Sequence, residues 1–593
     1  MTDHILVCTA WPYANGDLHI GHLAGAYLPP DIFARFHRLK GNNVLMVSGS
    51  DSHGTPITMR ADAERLSPLE VFERFHARFL QTFQQIGVTY DLFTHTDTEN
   101  HHRVSQDIFM ACWNNGYLYK RTEQQFYSES EGRFLPDRYV EGICPHCGYD
   151  GARGDQCDNC KKLLEPTDLI NPRSKNDGST PVLRETEHFY LDLAKASEAV
   201  WEFLNNDKDH WRPSVINFSR QYVKEGLRGR PITRDIEWGI PIPLPGYDQK
   251  RLYVWFEAVI GYFSASIEWA TNIGQPDAWK AWWYEPPAKT YYFIGKDNIP
   301  FHTVIWPAEL IATGQRLYED DPNKRLNLPY DVPANEYLNM EGQKLSTSRN
   351  WAIWAPDLLE RFDPDPIRFY LAFIAPESRD TDFTFEDFVR RNNDELVATW
   401  GNLVNRVLGF AYKRYAGKVP DIGPQGLEET DRQILAEVEA GFETVGNLLA
   451  SVKLKAGLDE SLRLARSANV YLDRKAPWKV IQEDAAAAGT SIYVALRVID
   501  NLKIMLAPFL PHTCQQLHHY LGYEGQLFGR QYTREFSEQK RQHVALCYDD
   551  SEAHGRWQPS QLSPGQALQK PKPLYKKLEP DVAEQEVARL LGV

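Results

Sequence analysis

The sequence predicts an α/β fold: a parallel nucleotide-binding sheet, interrupted by a cysteine-bearing insertion and followed by an all-α bundle. Three observations carry this reading. The apolar run Ile5-Leu6-Val7 has the length of a buried strand, Pro12, Asn15 and Gly16 behind it are turn residues, and a helix start follows at Leu18. A strand, a tight turn and a helix in that order mark where open α/β sheets bind nucleotides. Between about residues 120 and 232 the pattern changes to short strands, charged turns and a cluster of four cysteines. From Phe388 onward no strand pattern stands out, and amphipathic runs at 386–415, 431–451, 453–473, 491–507 and 514–521 predict a helical bundle.

Taken in order, Pro29-Pro30 is expected to interrupt the helix that starts at Leu18, and a second segment, 31–40, stops at Gly41. Val44 to Val47 is the next buried strand, and it runs into the polar, Gly-containing loop Ser48 to Thr55. Phe72, Phe75, Phe79, Phe83 and Ile86 recur at helical spacing and predict a core-facing stripe. After the insertion a second half-sheet begins near Arg234-Asp235, with an aromatic-rich segment from Leu252 to Tyr262 and a strand Tyr291-Tyr292-Phe293-Ile294 leading into Gly295-Lys296-Asp297. Residues after about Trp557 have the Pro, Lys and Gln content of a linker and end in a short amphipathic helix near 581–591.

His19 and His22 stand three apart at the helix start, which places both imidazoles on one helical face beside backbone N–H groups without intrahelical partners. Such an end attracts phosphate, and Gly21 between them lets a flat ring approach the backbone. A surface histidine pair and half of a metal site have the same spacing. Cys144-x-x-Cys147 and Cys157-x-x-Cys160 enclose nine residues with three glycines, the spacing of a zinc knuckle. Disulfides or inert thiols are the alternative, and a reducing compartment disfavours the former.

Composition bounds the partners. The chain has 593 residues, enough for about four domains at ~150 residues each. Its net charge of −15 argues against nonspecific coating of nucleic acid, which requires an excess of Lys and Arg, so any RNA contact is local. No apolar run reaches membrane-spanning length and the chain opens directly into a strand, so no membrane association and a cytoplasmic location are expected.

The tetrapeptide His19-Ile20-Gly21-His22 matches letter for letter the first signature of the class I aminoacyl-tRNA synthetases, and Pro12-Tyr13-Ala14-Asn15-Gly16 narrows the resemblance to the methionyl-tRNA synthetase family. The second signature of that class, K-M-S-K-S, is similar to Lys344-Leu345-Ser346-Thr347-Ser348, with Thr347 where the second lysine is usual and Asn350 where Gly often follows Ser-Arg349. Asn469-Val470-Tyr471 with Pro477-Trp478 resembles the family's N-x-Y…P-W motif, and Ala398 stands where Asn is usual. Trp11 and Val259 replace a common Leu and Pro near the amino-acid pocket.

The resemblance implies a Rossmann-like catalytic domain in two halves, 1–119 and 233–330. A connective insertion at 120–232 carries a structural zinc, one per chain, on Cys144, Cys147, Cys157 and Cys160. A stem-contact region at 331–387 carries the second signature, an α-helical anticodon-binding domain covers 388–545, and a linker with a short helix covers 546–593. It implies ligation of L-methionine to initiator and elongator tRNA(Met) through methionyl-adenylate, with Mg2+ accompanying ATP. His19, His22 and Lys344 would be catalytic, and Gly21, Gly295, Asp297, Lys344, Ser346, Thr347 and Ser348 would hold ATP. Tyr13, Asp51, Arg234, Trp255, Ala258, Tyr262, His302 and Trp306 would hold methionine; an aromatic wall suits a thioether, which gains ~0.3–1.5 kcal/mol at a ring edge.

Asn402 and Arg406, four apart on one helix face, and Trp478 would read the anticodon, since unpaired bases stack on an aromatic plane and offer their pairing edges. From the residues alone, Trp478 sealing a helix junction fits equally. Too few residues follow for an additional dimerising domain, so a monomer is expected. A noncatalytic tRNA-binding relative is the alternative that Thr347 suggests, and joint retention of His19, His22, Asp51 and Asp297 speaks against it. The editing insertion of the valine, leucine and isoleucine enzymes has no room in the ~320 residues between the signatures, and a nicotinamide-linked dehydrogenase would need a G-x-G-x-x-G turn.

Overall fold

The chain leaves β1 (His4–Thr9) and pairs it on one side with β2 (Asn43–Ser50), Ile5 opposite Val44, and on the other with the much later strand Lys289–Gly295, Ile5 opposite Lys289. Both pairings are parallel, so the carboxyl end of β1 lies where the strand order reverses, the place where such sheets leave a crevice. The structure, a computed structural model, describes residues 2–136, 139–154, 157, 159–160, 164, 166–345 and 351–591. Among these residues the sheet has seven strands, in the order Ala334–Asn335, Lys289–Gly295, β1, β2, β3 (Leu92–His95), Gln542–Asp549, Arg530–Ser537. β1 is buried on both faces, as a parallel strand covered by helices must be. Its alternate side chains separate into two cores. Ile5 and Val7 pack with the helices Leu28–Leu39 and Pro68–Ile86, and Leu6 and Cys8 with the helix Val254–Asn272.

The predicted stripe Phe72, Phe75, Phe79, Phe83, Ile86 is buried on the helix Pro68–Ile86, which a reciprocal Ser67/Glu70 cap starts and Gly87, at φ +77°, stops. The first helix differs from expectation. It runs through Ile20–His22, a wider π turn at Leu23–Tyr27, and Leu28–Leu39, with Pro29 and Pro30 in the first turn of the last segment. The prolines therefore do not interrupt it: they sit where their missing N–H groups are tolerated, and the π turn supplies the change of register.

The insertion is a long antiparallel ribbon, Leu118–Ser128 against Val182–Leu191, whose far end carries a small sheet of Val140–Ile143, Asp150–Arg153 and Ile170–Ser174. The bundle contains Glu429–Ala450, Leu454–Lys475, Ala485–Leu506 and Pro511–Tyr520, close to the predicted helices.

Two expectations for the carboxyl-terminal third are overturned. The absence of strands after Phe388 fails at a hairpin, Arg530–Ser537 with Gln542–Asp549, which extends the catalytic sheet antiparallel beside β3 through Leu546–Phe93 and Cys547–Leu92. The expected domain limit at residue 545 thus falls inside a strand. The outer strand, Arg530-Gln-Tyr-Thr-Arg-Glu-Phe-Ser, is an edge with polar residues on both faces, so it lacks the alternation by which a strand is recognised. The tail with linker composition is packed. The Trp557 indole lies edge-on to Phe36 at 4.9 Å and to Phe442 at 5.5 Å and donates to the Phe442 carbonyl at 2.9 Å, while Leu562, Leu568 and Tyr575 are buried. Sparse apolar residues among Pro and Lys are enough to strap the bundle to the sheet. The same joint holds Arg368, fully buried, on Asp31 at 2.6 Å and on the carbonyls of Pro508 and Phe509.

Candidate active site

The first signature forms a reciprocal cap. His19 has extended backbone angles and is the cap residue of the helix Ile20–His22, so the two histidines do not share a helical face. They meet because the His22 N–H donates to His19 Nδ1 (3.3 Å) and the His19 N–H donates to His22 Nδ1 (3.2 Å), which stacks the rings at 3.7 Å. Burial pushes the His19 pKa down to about 4 and that of His22 well below its usual value, so both rings are neutral. With each Nδ1 accepting, each proton sits on Nε2. Two parallel Nε2–H donors result, at the start of the helix that follows β1 and its turn.

Across this cap lie the first two residues of the second signature, Lys344 and Leu345. Lys344 ends a two-stranded turn of Leu338–Met340 with Gln343–Lys344, and a Cβ placed on Gly21 would stand 2.7 Å from Leu345 Cδ1. The face of Gly21 proposed for a flat ring is thus occupied by Leu345. Gly295, at the end of the neighbouring strand, has open space instead. Asp297 follows and accepts from the Tyr337 hydroxyl, whose ring carries the ammonium groups of Lys296 at 4.0 Å and Lys344 at 4.5 Å. Tyr337, which the sequence reading passed over, is what joins Asp297 to Lys344. Ser346, Thr347 and Ser348 lie outside the described residues.

A second group of predicted residues gathers on the helix Val254–Asn272 and the turn before it. Tyr262 donates to His302 Nε2 at 2.8 Å, and His302 Nδ1–H is directed at the Asn298 carbonyl at 2.9 Å. Burial lowers the His302 pKa to about 4, which keeps it neutral and fixes this direction of donation. Trp255 stacks on Phe301 at 4.3 Å, Ala258 is half-buried one turn on, and the Arg234 guanidinium lies 3.9 Å over the Tyr253 ring. Tyr13 bridges to Asp51, and a Cβ on Gly54 would stand 2.2 Å from its ring. Trp306 is fully buried, its Nε1–H donating to the Tyr292 hydroxyl at 3.0 Å. Trp11 is T-shaped to Tyr262, and a Cβ on Gly261 would come within 2.6 Å of its indole: the wider residue at 11 requires glycine at 261.

Asp51 is only 3% exposed, and burial followed by the nearby Glu257 charge raises its pKa to about 8. In the following loop His53, unremarked in the sequence, reaches Glu257 through Nδ1 at 2.9 Å and Asp97 through Nε2 at 3.3 Å.

The four knuckle cysteines bring their Sγ atoms within 4.8 Å of one another, with Cys144–Cys160 at 3.8 Å and Cys147–Cys157 at 3.6 Å. Those separations are far beyond the roughly 2.05 Å of a disulfide. They equal the edge of a tetrahedron with ~2.3 Å metal–sulfur bonds, about 3.8 Å. The backbone N–H of Tyr149 and then the Asn159 amide lower the Cys147 pKa to about 6, as a thiolate ligand requires. Gly148, at φ +72°, turns the backbone directly after the second thiol, its N–H donating to the Cys144 carbonyl at 3.0 Å.

On the bundle, the helix Leu454–Lys475 stops at Ala476 in the left-handed region, and Pro477 opens the next turn, leaving Trp478 37% exposed. The Arg406 guanidinium covers its ring at 4.5 Å and is held by Asp473 at 2.7 Å. Asn402 is exposed on the same helix as Arg406. Asn469 and Tyr471, the other motif positions, are spent internally on the Thr399 carbonyl and on Asp431.

Residues 5–408 match the family described as tRNA synthetases class I (M), and residues 419–593 match the anticodon binding domain of methionyl tRNA ligase. The chain belongs to the methionine–tRNA ligases of class I. Among curated relatives, the methionine–tRNA ligase of Thermomicrobium roseum is 55% identical over the whole of both chains, and that of Roseiflexus sp. is 53% identical over all of this chain and 99% of its own. Among solved structures, the Mycobacterium tuberculosis methionyl-tRNA synthetase bound by methionyl-adenylate shares the fold with a TM-score of 0.74 over 97% of this chain and all of its own, at 22% identity. The two matched regions meet between residues 408 and 419, inside the helical part, so Asn402 and Arg406 lie in the synthetase match while Trp478 lies in the anticodon-domain match. Among the described residues no helix is long and apolar enough to cross a membrane.

Proposed function

We propose that the methionine carboxylate attacks the α-phosphorus of ATP at the carboxyl end of β1, expelling pyrophosphate, and that the methionyl group then passes from the adenylate to the terminal ribose of tRNA(Met), initiator or elongator. The substrate is its own nucleophile, so the protein's part is alignment and charge stabilisation. The observation that carries this reading is the reciprocal histidine cap. Two neutral imidazoles locked through Nδ1, each with its proton on Nε2, form a donor pair for phosphate oxygens that needs no reorganisation during the reaction.

Lys344 would reach the leaving pyrophosphate with Ser346, Thr347 and Ser348, Gly295 would leave room for the nucleotide, and Asp297 would hold the ribose. Asp51 would accept the methionine ammonium and Arg234 would order that end. Tyr13, Trp255, Ala258, Tyr262 and His302 would line the side-chain pocket with Trp306 behind them. Mg2+ would accompany ATP. Cys144, Cys147, Cys157 and Cys160 would hold one structural zinc, a site that suits the reducing cytoplasm. Asn402, Arg406 and Trp478 would receive anticodon bases. The chain would act as a monomer. ATP–pyrophosphate exchange across a panel of amino acids tests the reading: exchange should depend on methionine, and equal exchange with leucine or isoleucine, or none with methionine, would refute it.

A further inference from the structure

Behind Asp51 lies a chain of buried charges to which the roles above assign nothing. Glu257, on the helix that carries Trp255, Ala258 and Tyr262, is fully buried, and its ion pairs among the described residues are to histidines: His53 Nδ1 at 2.9 Å and His101 Nε2 at 3.5 Å. His101 Nδ1 is engaged by the Ser264 hydroxyl, and burial lowers its pKa, which leaves it neutral. The other nitrogen of His53 faces Asp97, which also receives His102 at 3.1 Å and Arg541 from the carboxyl-terminal hairpin. A ring with a carboxylate at each nitrogen carries a proton on both, and is an imidazolium. The backbone N–H of this same residue donates to Asp51 Oδ1 at 3.2 Å.

We propose that His53 and Glu257 are positioning residues of the methionine α-amino subsite: Glu257 and Asp97 hold the His53 ring doubly protonated and immobile, which fixes the backbone donor that aims Asp51 and supplies the positive charge beside its carboxylate. The inference rests on the reading of Asp51 as the ammonium partner. Burial and then the Glu257 charge raise the Asp51 pKa to about 8 even with the His53 N–H and ring charge opposing them; the His53 charge keeps the carboxylate within reach, and the arriving ammonium completes the shift to it. The ring's own balance agrees: burial works against its charge, but Glu257 first and then Asp97 raise its pKa to about 10. The proton on His53 therefore persists throughout the working range.

The test is Glu257→Gln in the full-length, zinc-loaded protein, a change that keeps shape and an acceptor but removes the charge. Methionine-dependent exchange is followed from pH 6 to 9. As the pH rises from 6 to 9 and His53 of the variant loses its proton, kcat/KM for methionine should fall at least tenfold relative to wild type at the same pH, while KM for ATP stays within twofold. A profile parallel to wild type, or equal losses for methionine and ATP, would overturn the proposal. Nitrogen-15 histidine NMR of the wild-type protein at pH 8 does not depend on the variant folding: it should contain an imidazole with both ring protons, absent from His53→Gln, and its absence from wild type would overturn the proposal. So would a second zinc atom retained by Cys144→Ser, because the ligand atoms of His53, Asp97 and His102 lie within 4.8 Å of one another and His53 with metal on Nε2 cannot keep both protons. Asp51→Asn with an unchanged methionine KM would instead sink the subsite reading, while the NMR signal remained.

Discussion

Removing the indole of Trp478 tests whether the bundle contributes recognition or only architecture. The ring is 37% exposed, so truncation forfeits little core packing, and what it touches is the Arg406 guanidinium at 4.5 Å. A base stacked on such a ring contributes ~1–3 kcal/mol, which predicts a loss of about 5- to 160-fold in kcat/KM for tRNA charging by Trp478→Ala. Methionine-dependent pyrophosphate exchange, which needs only the sheet, should remain within twofold. The Arg406–ring contact is worth ~0.5–1 kcal/mol at an exposed site, so Arg406→Ala combined with Trp478→Ala should cost less than the sum of the two by about that amount. Charging with purified tRNA and exchange without it are measured on the same preparations. Parallel losses in the two assays, accompanied by a lower melting temperature, would mean that Trp478 seals the junction with Pro477 and reads nothing.

Three further outcomes follow from the same structure. Elemental analysis should find about one zinc per chain in wild type and Cys144→Ser should remove it, since three thiolates leave a structural tetrahedron open; undiminished zinc would contradict the site. Lys344→Ala should slow adenylate formation at least tenfold, an effect of about 1.4 kcal/mol, with a smaller change in methionine binding, and Thr347→Lys should raise activity only modestly; exchange absent from zinc-loaded wild type and restored by Thr347→Lys would favour a noncatalytic role instead. Arg368→Met should lower the urea midpoint by the equivalent of about 3–5 kcal/mol, because it strips the buried Asp31 of one cation and several carbonyls of their donor; an unchanged midpoint would show that Arg35 suffices for Asp31.

Much of the site was legible in the sequence because its chemistry is local. The strand, turn and helix start at Ile5 to Leu18, the cysteine pairs, the Phe72–Ile86 stripe and the helical periods after Phe388 are patterns within a few residues of one another, and a local pattern survives without knowledge of what it packs on. The signatures at His19–His22 and Lys344, with the Pro12–Gly16 turn, were enough to indicate the family.

What tertiary structure decided are the pairings across long separations. The stacking of His19 on His22 comes from a reciprocal cap and not from a shared helical face. The closure of Leu345 on Gly21, the link from Asp297 through Tyr337 to Lys344, and the fit of Trp11 against Gly261 each join segments that carry no mark of one another. The edge strand Arg530–Ser537 and the strap through Trp557 were illegible because their residues are polar or sparse and acquire meaning only from β3, Phe36 and Phe442. His53 and Glu257 are 204 positions apart, and nothing in either neighbourhood announces a buried ion pair. The order of residues specifies which groups are present and which short elements hold them; folding selects which charges face each other out of water, because desolvation and mutual distance, on which pKa and donor direction depend, exist only in the packed chain.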